Sequence, residues 1–236
     1  TRIEGIDCYN ISPLIYAYGE TNIAITGNGV MDGQADSSNW FSENRIRGIV
    51  QEDGKKINEK TLLYEMKEDS IPFKERVFMR ENGIRPQFIN LYKCKNILLE
   101  GFTLNRSPFW LIHPLLSENI TVRKVKMQSH GYNNDGCDPE SCRNVLIEDC
   151  DFDTGDDCIA ISDAEIQPRA QDTENVIVTG CIFRTTCNMA RIFCGIDLEP
   201  ATKCDIVLPE GAYETGRQQR VRKIVISDCI LLDGAS

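Results

Sequence analysis

A short pattern, asparagine followed by alternating aliphatic residues, recurs along the chain and restricts its fold more than any other feature. The copies lie at residues 22–27, 96–102, 119–125, 144–150 and 175–181, and a sixth begins with Lys223 in place of asparagine. The copies that begin at Asn96, Asn119, Asn144 and Asn175 are separated from one another by 23, 25 and 31 residues. Each copy has the period of two that indicates a short β-strand. Short strands at this spacing predict an all-β solenoid of ~20–30-residue coils, a parallel β-helix.

Stacked coils would align equivalent residues of successive copies into ladders, because each coil lies ~4.8 Å from the next. One predicted ladder is made of asparagines at a turn: Asn96, Asn119, Asn144 and Asn175. Asparagine suits such a turn because it tolerates left-handed backbone and can bond the backbone of its neighbour. A second predicted ladder is inward and apolar: Phe102, Val125, Cys150, Cys181 and Cys229. We therefore interpret its cysteines as core thiols, with a stacked disulfide as the alternative, in a chain that has 11 cysteines.

Length and charge exclude several functional classes. The 236 residues suffice for one β-helix domain with a substantial core, which we place over residues 1–236. The net charge of −10 argues against nucleic acid and anionic membrane surfaces as partners. No apolar run approaches the ~20 residues of a membrane span. The chain starts at Thr1 and its last strand has no evident cap, so we expect the domain to be incomplete at one or both ends.

Residues 36–80 interrupt the repeat. They are polar and charged, and residues 58–69 have the spacing of an amphipathic helix. We predict an insertion or long loop that carries a short helix, placed either to wall a cleft or as a solvated excursion without function.

Three aspartates between residues 133 and 162 are the candidate catalytic groups. Asp135 precedes Asp156 by 21 residues, about one coil, so stacking should bring it close to Asp156 and Asp157. Adjacent strand residues point to opposite faces, and Gly155 is the residue suited to let both Asp156 and Asp157 reach solvent. Three crowded carboxylates repel, so at least one should have a raised pKa and supply an acid beside a base, as glycoside hydrolysis requires. Calcium binding by the same cluster is the alternative.

At this point the sequence resembles glycoside hydrolase family 28, the polygalacturonase-like pectin hydrolases, most closely over residues 1–162. The motifs that carry the resemblance are Asn-Asn-Asp-Gly at 133–136, Asp-Thr-Gly-Asp-Asp-Cys-Ile-Ala-Ile at 153–161, Gly-Asn-Gly-Val-Met-Asp-Gly at 27–33, Arg-Pro-Gln-Phe at 85–88 and Ser-Pro-Phe-Trp-Leu-Ile-His-Pro at 107–114. Upstream, residues 12–17 fit as well. The family usually has Thr where this chain has Asn134.

The resemblance implies a right-handed parallel β-helix that hydrolyses α-1,4-linked galacturonosyl or related pectic bonds with inversion. By the match of motifs, Asp156 would be the general acid that protonates the leaving oxygen, and Asp135 and Asp157 would activate the attacking water. We predict no metal and no other cofactor. The inversion follows from the resemblance and not from spacing, since stacked coils alone would allow the ~5 Å separation of retaining enzymes.

Four further residues are predicted to contact substrate: Trp110, His113, Asn133 and Arg191. Trp110 is a candidate platform for a sugar ring, and His113 lies about one coil before Asp135. Simple packing is the alternative role of Trp110, and a turn histidine bonded within the protein is that of His113. The expected partner is a pectic polysaccharide or oligosaccharide, bound by a monomer that is secreted or periplasmic.

Beyond Ser162 the resemblance becomes weaker. The family carries a Gly-His-Gly element whose histidine supports the carboxylates, and its place near residues 186–188 holds Thr-Cys-Asn. The family's Arg-Ile-Lys element, which binds the substrate carboxylate, has no match, and Arg191-Ile192-Phe193 is the nearest string. Two other hypotheses therefore stay open: a catalytically impaired β-helix that binds polysaccharide, and a calcium-dependent, pectate lyase-like β-helix.

Overall fold

Three parallel sheets run along the axis of a right-handed parallel β-helix, as the repeat and the resemblance predict. The structure, a computed structural model, describes residues 1–3, 5–42, 49–50, 54, 56–79, 83–163, 172–185, 188–194 and 221–233. Each described coil contributes one strand to each of two six-stranded sheets, and most coils also contribute to a third sheet that leads into the candidate site.

The first sheet contains the repeats. Its six strands are β4 (Thr21–Thr26), β9 (Lys95–Glu100), β12 (Glu118–Arg123), β14 (Arg143–Glu148), β17 (Thr173–Thr179) and β20 (Val221–Ser227). The register aligns one aliphatic residue of each central strand, Leu99, Val122, Ile147 and Val178. All four are fully buried. Burial of each such side chain contributes about 1.5–3 kcal/mol, so the alternating pattern directly builds the core.

The asparagine ladder is confirmed and extends to Asn22. Its side chains join in a line of Nδ2-to-Oδ1 hydrogen bonds: Asn96 to Asn22 (2.9 Å), Asn119 to Asn96 (2.9 Å), Asn144 to Asn119 (2.9 Å) and Asn175 to Asn144 (3.0 Å). Each asparagine has left-handed backbone, with φ between 56° and 62°. The side chains bond one another rather than the neighbouring backbone, which differs from the predicted pairing.

The second sheet follows the first after a short turn on each coil. Its strands are β5 (Val30–Asp32), β10 (Thr103–Asn105), β13 (Lys126–Ser129), β15 (Asp151–Thr154), β18 (Ile182–Thr185) and β21 (Ile230–Asp233). The predicted inward ladder lies at the turn before this sheet. Phe102, Val125, Cys150 and Cys181 are buried there, and Cys229 is half-buried against the same core. Each cysteine whose side chain is described is a free thiol, which confirms the core interpretation.

The third sheet positions the candidate site. Strands β3 (Ile15–Tyr18), β8 (Ile89–Tyr92) and β11 (Ile112–Leu115) pair in parallel, and β16 (Ala160–Asp163) pairs with β19 (Arg191–Cys194). The coil between them bridges the two groups through Cys137 and Glu140. Residues 133–140 and 155–163 therefore lie on consecutive coils at the edge of one continuous sheet.

Smaller elements lie outside the three parallel sheets. Strands β1 (Arg2–Ile3) and β2 (Ile6–Asp7) pair antiparallel, as do β6 (Ile49–Val50) and β7 (Lys56–Ile57). The helix predicted at 58–69 is confirmed as α1 (Glu59–Glu68), which the side chain of Asn58 caps, and a 3₁₀ turn follows at Phe73–Glu75. Leu63 of α1 packs with residues near the N-terminus in a separate apolar cluster. Neither described helix is long and apolar enough to cross a membrane.

Candidate active site

One backbone hydrogen bond repeats on four successive coils and aligns four side chains in a column. The bonds run from the N–H of Phe88 to Trp110 O (2.9 Å), Leu111 to Asp135 O (2.8 Å), Gly136 to Asp157 O (3.0 Å) and Cys158 to Asn188 O (2.9 Å). Trp110, Asp135, Asp157 and Asn188 thus hold equivalent positions one coil apart. Asp135 stacks on Asp157 through the backbone, and Asp156 lies beside that column.

The structure brings the three predicted catalytic carboxylates together. One oxygen from each of Asp135, Asp156 and Asp157 lies within 4.8 Å of the others. Asp135 and Asp157 are buried, and Asp156 is half-buried. Oδ1 of Asp156 accepts a hydrogen bond of 2.9 Å from the N–H of Asp157, which fixes the orientation of the more accessible carboxylate.

Two glycines permit the close approach of these coils. A Cβ atom at Gly136 would lie 2.5 Å from the carbonyl oxygen of Cys158. A Cβ atom at Gly155 would lie 2.6 Å from the carbonyl carbon of His130 and 2.7 Å from the carbonyl oxygen of Gly131. Gly155 is therefore required because the backbone of the preceding coil is so near, which differs from the predicted need to turn two aspartates toward solvent.

Burial and mutual repulsion raise the pKa values of the two stacked carboxyls. Burial raises the pKa of Asp135 to about 8, and the charges of Asp156 and Asp157 add to the shift. Burial also raises the pKa of Asp157, and Asp156 raises it further, whereas a hydrogen bond from Asn188 and the charge of Arg191 lower it. The cluster therefore retains a proton on the stacked pair at neutral pH, as crowding of three carboxylates predicts.

Asn188 and Arg191 contact Asp157 from the next coil. Nδ2 of Asn188 donates a hydrogen bond of 2.6 Å to Oδ1 of Asp157, and Nη1 of Arg191 lies 3.7 Å from Oδ2. Arg191 is a predicted substrate contact, and it lies beside the carboxylates with its side chain half exposed. Sequence reasoning missed Asn188, although the 31-residue step between Asn144 and Asn175 leads from Asp157 to this residue. The preceding Thr186 and Cys187 lie outside the described residues.

Asn134 secures the loop that ends at Asp135. Its Oδ1 accepts hydrogen bonds from the Ser129 hydroxyl (2.6 Å) and the N–H of Gly131 (2.7 Å). Its Nδ2 donates to the carbonyl oxygens of Ser107 (3.1 Å) and Phe109 (3.0 Å) on the preceding coil. The asparagine that stands in place of the family's usual threonine thus has every polar atom of its amide bonded and is fully buried.

Asn133 and Trp110, two predicted substrate contacts, are half-buried near this loop. Oδ1 of Asn133 accepts a hydrogen bond of 2.7 Å from Nη2 of Arg85. The Trp110 ring stacks on Phe109 at 4.5 Å between centroids and meets the edge of His113 at 4.9 Å. Packing within the protein therefore engages one face of the indole.

His113 is fully buried, which is at odds with its predicted contact to substrate. Its Nε2 lies 2.7 Å from Oε2 of Glu140, and its Nδ1 lies 3.0 Å from Nδ2 of Asn90. Both ring nitrogens are thus engaged within the protein. Coil spacing put His113 near the cleft, and it does not show that the side chain is covered here.

Asp138 is a buried acid that sequence reasoning did not single out. It follows Asp135 by three residues, and both of its carboxylate oxygens are buried. Burial raises its pKa well above the usual range, and the charges of Asp135 and Asp157 contribute. The cluster of acids therefore continues behind the accessible carboxylate, where a neutral Asp138 adds no charge to it.

The same three aspartates are the group of described residues whose ligand atoms are close enough to hold a metal ion. Oxygen ligands of this kind suit Ca²⁺. Clusters of carboxylates also serve proton transfer without a metal, and the raised pKa of Asp135 is typical of that second use. The arrangement therefore fits acid–base chemistry, and metal dependence is open to a direct test.

Comparison with protein families matches residues 10–186 to "Glycosyl hydrolases family 28". A probable polygalacturonase of Arabidopsis thaliana is 29% identical over 183 residues, which covers 67% of this chain and 37% of the relative. An endo-polygalacturonase of Pectobacterium carotovorum subsp. carotovorum is 30% identical over 163 residues, which covers 68% of this chain and 34% of the relative.

Among solved structures, a hyperthermoactive exopolygalacturonase from Thermotoga maritima superposes with a TM-score of 0.66. Its sequence is 32% identical, and the match covers 98% of this chain and 50% of that one. The chain therefore spans half of the length of this relative, and a smaller share of the two curated ones.

Proposed function

The chain belongs to glycosyl hydrolases family 28, and from this membership and the geometry of its carboxylates we propose that it takes part in pectin cleavage as a glycoside hydrolase. The single observation that carries the proposal is the convergence of Asp135, Asp156 and Asp157 within 4.8 Å on two stacked coils. The raised pKa values of Asp135 and Asp157 are typical of carboxyl groups that exchange protons during glycosidic hydrolysis.

The proposed roles follow from accessibility. Asp156 is the most accessible of the three, and it donates the proton to the oxygen that leaves with the departing sugar. Asp157, with Asp135 stacked on it, accepts a proton from the attacking water, whose oxygen forms the new bond to the anomeric carbon as the glycosidic bond breaks. The stacked carboxyls of Asp135 and Asp157 interact, so they titrate as a pair.

Inversion is the expected stereochemical course. A retaining enzyme would need one of the carboxylates to form a covalent bond with the sugar. Asp135 and Asp157 are only 8% and 1% exposed, and such oxygens reach a small water more readily than a sugar carbon. The product first released from an α-linked substrate should therefore be the β-anomer, which proton NMR of the fresh product detects. Initial release of the α-anomer would contradict this course.

A positive charge at the site supports an anionic substrate in spite of the negative net charge of the chain. Arg191 lies at the rim of the carboxylates, and its side chain is 49% exposed. Asn188 holds Asp157 from the next coil. These two residues weaken the hypothesis of a catalytically impaired β-helix. The site has a hydrogen-bond partner for Asp157 and a guanidinium that can bind a sugar carboxylate.

The substrate we propose is a pectic polysaccharide or oligosaccharide of α-1,4-linked galacturonosyl or related units. Because such polymers lie outside the cell, we propose that the protein works in a secreted or periplasmic location as a monomer.

Reducing-sugar release from polygalacturonate and from rhamnogalacturonan tests the proposal, with Asp156→Asn as the inactive comparison. We expect release that the substitution abolishes. Addition of a chelator should leave the rate unchanged, and no unsaturated product absorbing in the ultraviolet should form. Release that stops with chelator and yields unsaturated ends would identify a calcium-dependent lyase. Binding of both polymers without release would identify a non-catalytic β-helix.

A further inference from the structure

A cavity of about 370 Å³ lies between helix α1 and the loop that leads to the catalytic carboxylates. Lys60 and Tyr64 line it from the helix, and Arg85, Tyr132 and Asn133 line it from the β-helix. Its volume lies within the range of small-molecule sites. The segment that interrupts the repeat therefore forms one wall of this cavity, close to the loop of Asp135.

Arg85 is a fixed positive charge in this wall. Its Nη1 donates to the carbonyl oxygens of Pro108, at 3.0 Å, and of Tyr132, and its Nη2 donates to Oδ1 of Asn133 at 2.7 Å. Its guanidinium also lies 5.0 Å from the centre of the Phe109 ring. These contacts join three segments of chain and hold the guanidinium with little freedom, so its orientation toward the cavity is set before any ligand arrives.

Lys60 adds a second positive charge from the first turn of α1. It is half-buried, and its charge is near enough to the site to lower the pKa of Asp135. In a chain of net charge −10, the lining of this cavity has two cations, Lys60 and Arg85, and one carboxylate, that of Glu59. An anionic sugar next to those aspartates needs such cations to offset the repulsion.

Several other lining residues suit a sugar. Tyr132 is 61% exposed and presents a ring against which a pyranose can pack. The side-chain amides of Asn58 and Asn133 offer donors and acceptors for hydroxyl groups, and Tyr64 adds a phenolic oxygen. Cations, an aromatic ring and amides around one small space are the chemistry that binds a sugar bearing a carboxylate.

Building on the proposed function, we propose that this cavity is a subsite for one uronate residue of the substrate, with Lys60 and Arg85 facing its carboxylate. Asn133 is only two residues from Asp135, so a uronate in the cavity places its neighbouring glycosidic bond at the carboxylates. The insertion around α1 then serves recognition of charged substrate, and this contribution is separate from that of Arg191 on the other side of the site.

Binding of trigalacturonate to the Asp156→Asn protein tests the subsite without turnover. Adding Lys60→Met should weaken the affinity at least about fivefold at low salt, the effect of one partly buried charge, and the loss should shrink as salt rises. Lys60→Arg should retain most of the affinity. The matched control is Lys67→Met, which removes an exposed lysine from the last turn of the same helix. Methyl-esterified trigalacturonate should bind Lys60→Met and the control equally well.

Equal affinities of Lys60→Met and Lys67→Met for trigalacturonate would overturn the proposal. A loss of the same size for the esterified ligand would also overturn it, because the lysine would then act on the fold or the ring and not on the carboxylate. The result does not depend on hydrolysis. Failure of the unsubstituted protein to release sugar would contradict the proposed function, while the binding comparison would still decide the subsite.

Discussion

Nδ2 of Asn188 donates a hydrogen bond of 2.6 Å to Oδ1 of Asp157, one coil away. The peptide unit between Asp157 and Cys158 is also bound to Asn188, since the N–H of Cys158 donates to the carbonyl oxygen of Asn188 at 2.9 Å. Asp157 is thus held from the next coil in both side chain and main chain. A carboxylate that must accept a proton from water at a defined position benefits from this double restraint.

Replacing Asn188 should move the acid limb of the pH profile. The hydrogen bond lowers the pKa of Asp157, so Asn188→Ala should raise that pKa and shift the acid limb of kcat/KM upward by about one pH unit. We also expect kcat to fall about tenfold, since a bond to a charged acceptor contributes ~1.5–3 kcal/mol. Asn175→Ala, on the same coil but in the exposed ladder, should leave the acid limb in place. An unmoved limb in Asn188→Ala would show that Asp157 is not the titrating base.

The last proton of the carboxylate cluster should set the alkaline limb of activity. The pKa of Asp135 is about 8 because burial and the charges of Asp156 and Asp157 oppose ionisation. Above that pH Asp135 has lost its proton, so kcat/KM should fall with an apparent pKa near 8. The check is a series of rate measurements from acid to strongly alkaline pH at constant ionic strength. A rate that stays level well above the pKa of Asp135 would exclude the cluster as the proton source.

The repeat made the scaffold predictable. Alternation of period two indicated the strands of the first sheet, and the recurrence of asparagine indicated the ladder, because both depend on local pattern and on regular stacking. The meeting of Asp135 with Asp156 and Asp157 followed from the same stacking. Helix α1 was predictable from its own amphipathic spacing.

Other features depend on contacts that no local pattern records. Coil spacing alone does not show whether His113 is exposed, and only the folded chain shows that it is buried against Glu140. Gly155 is required because the His130 backbone lies so close to it, and that approach depends on the shape of the preceding coil. The cavity at Lys60 joins residues from an insertion to a loop more than 70 positions away, and repeat spacing says nothing about an insertion.

The position of Asn144 within the asparagine ladder should determine its contribution to stability. Asn144 makes two ladder bonds, to Asn119 and from Asn175, whereas Asn22 at the end makes one. We expect Asn144→Ala to lower the free energy of unfolding by about 2–3 kcal/mol, counting two bonds and the strain of left-handed backbone, and Asn22→Ala by about 1–2 kcal/mol. Urea denaturation provides the comparison.

Asn144→Gly separates the two parts of that loss. Glycine accepts the φ of 56° at this position without strain, so the remaining loss reports the two hydrogen bonds alone. Equal losses for Asn144→Ala and Asn22→Ala would mean that backbone strain, and not the line of side-chain bonds, gives the ladder its value.

Asp135 should make the protein less stable as pH rises. Its pKa is ~3.9 in an unfolded chain and about 8 in the folded protein. Below the unfolded value both states bind the proton, so no penalty exists. Between the two values only the unfolded state ionises, and stability falls with rising pH until the folded pKa is passed. A neutral amide at this position carries no such penalty, so Asp135→Asn should stabilise the protein by roughly 3–5 kcal/mol at about pH 8 and by much less at about pH 4.

Thermal unfolding of Asp135→Asn at both pH values tests this expectation. Asp36→Asn is the control, and it should destabilise the protein where Asp135→Asn stabilises it. The reason is that hydrogen bonds from Ser38 hold the pKa of Asp36 below its usual value. An equal change for Asp135→Asn at the two pH values would show that its carboxyl ionises as easily in the fold as in the unfolded chain. The buried cluster would then lack the proton on which the proposed chemistry depends.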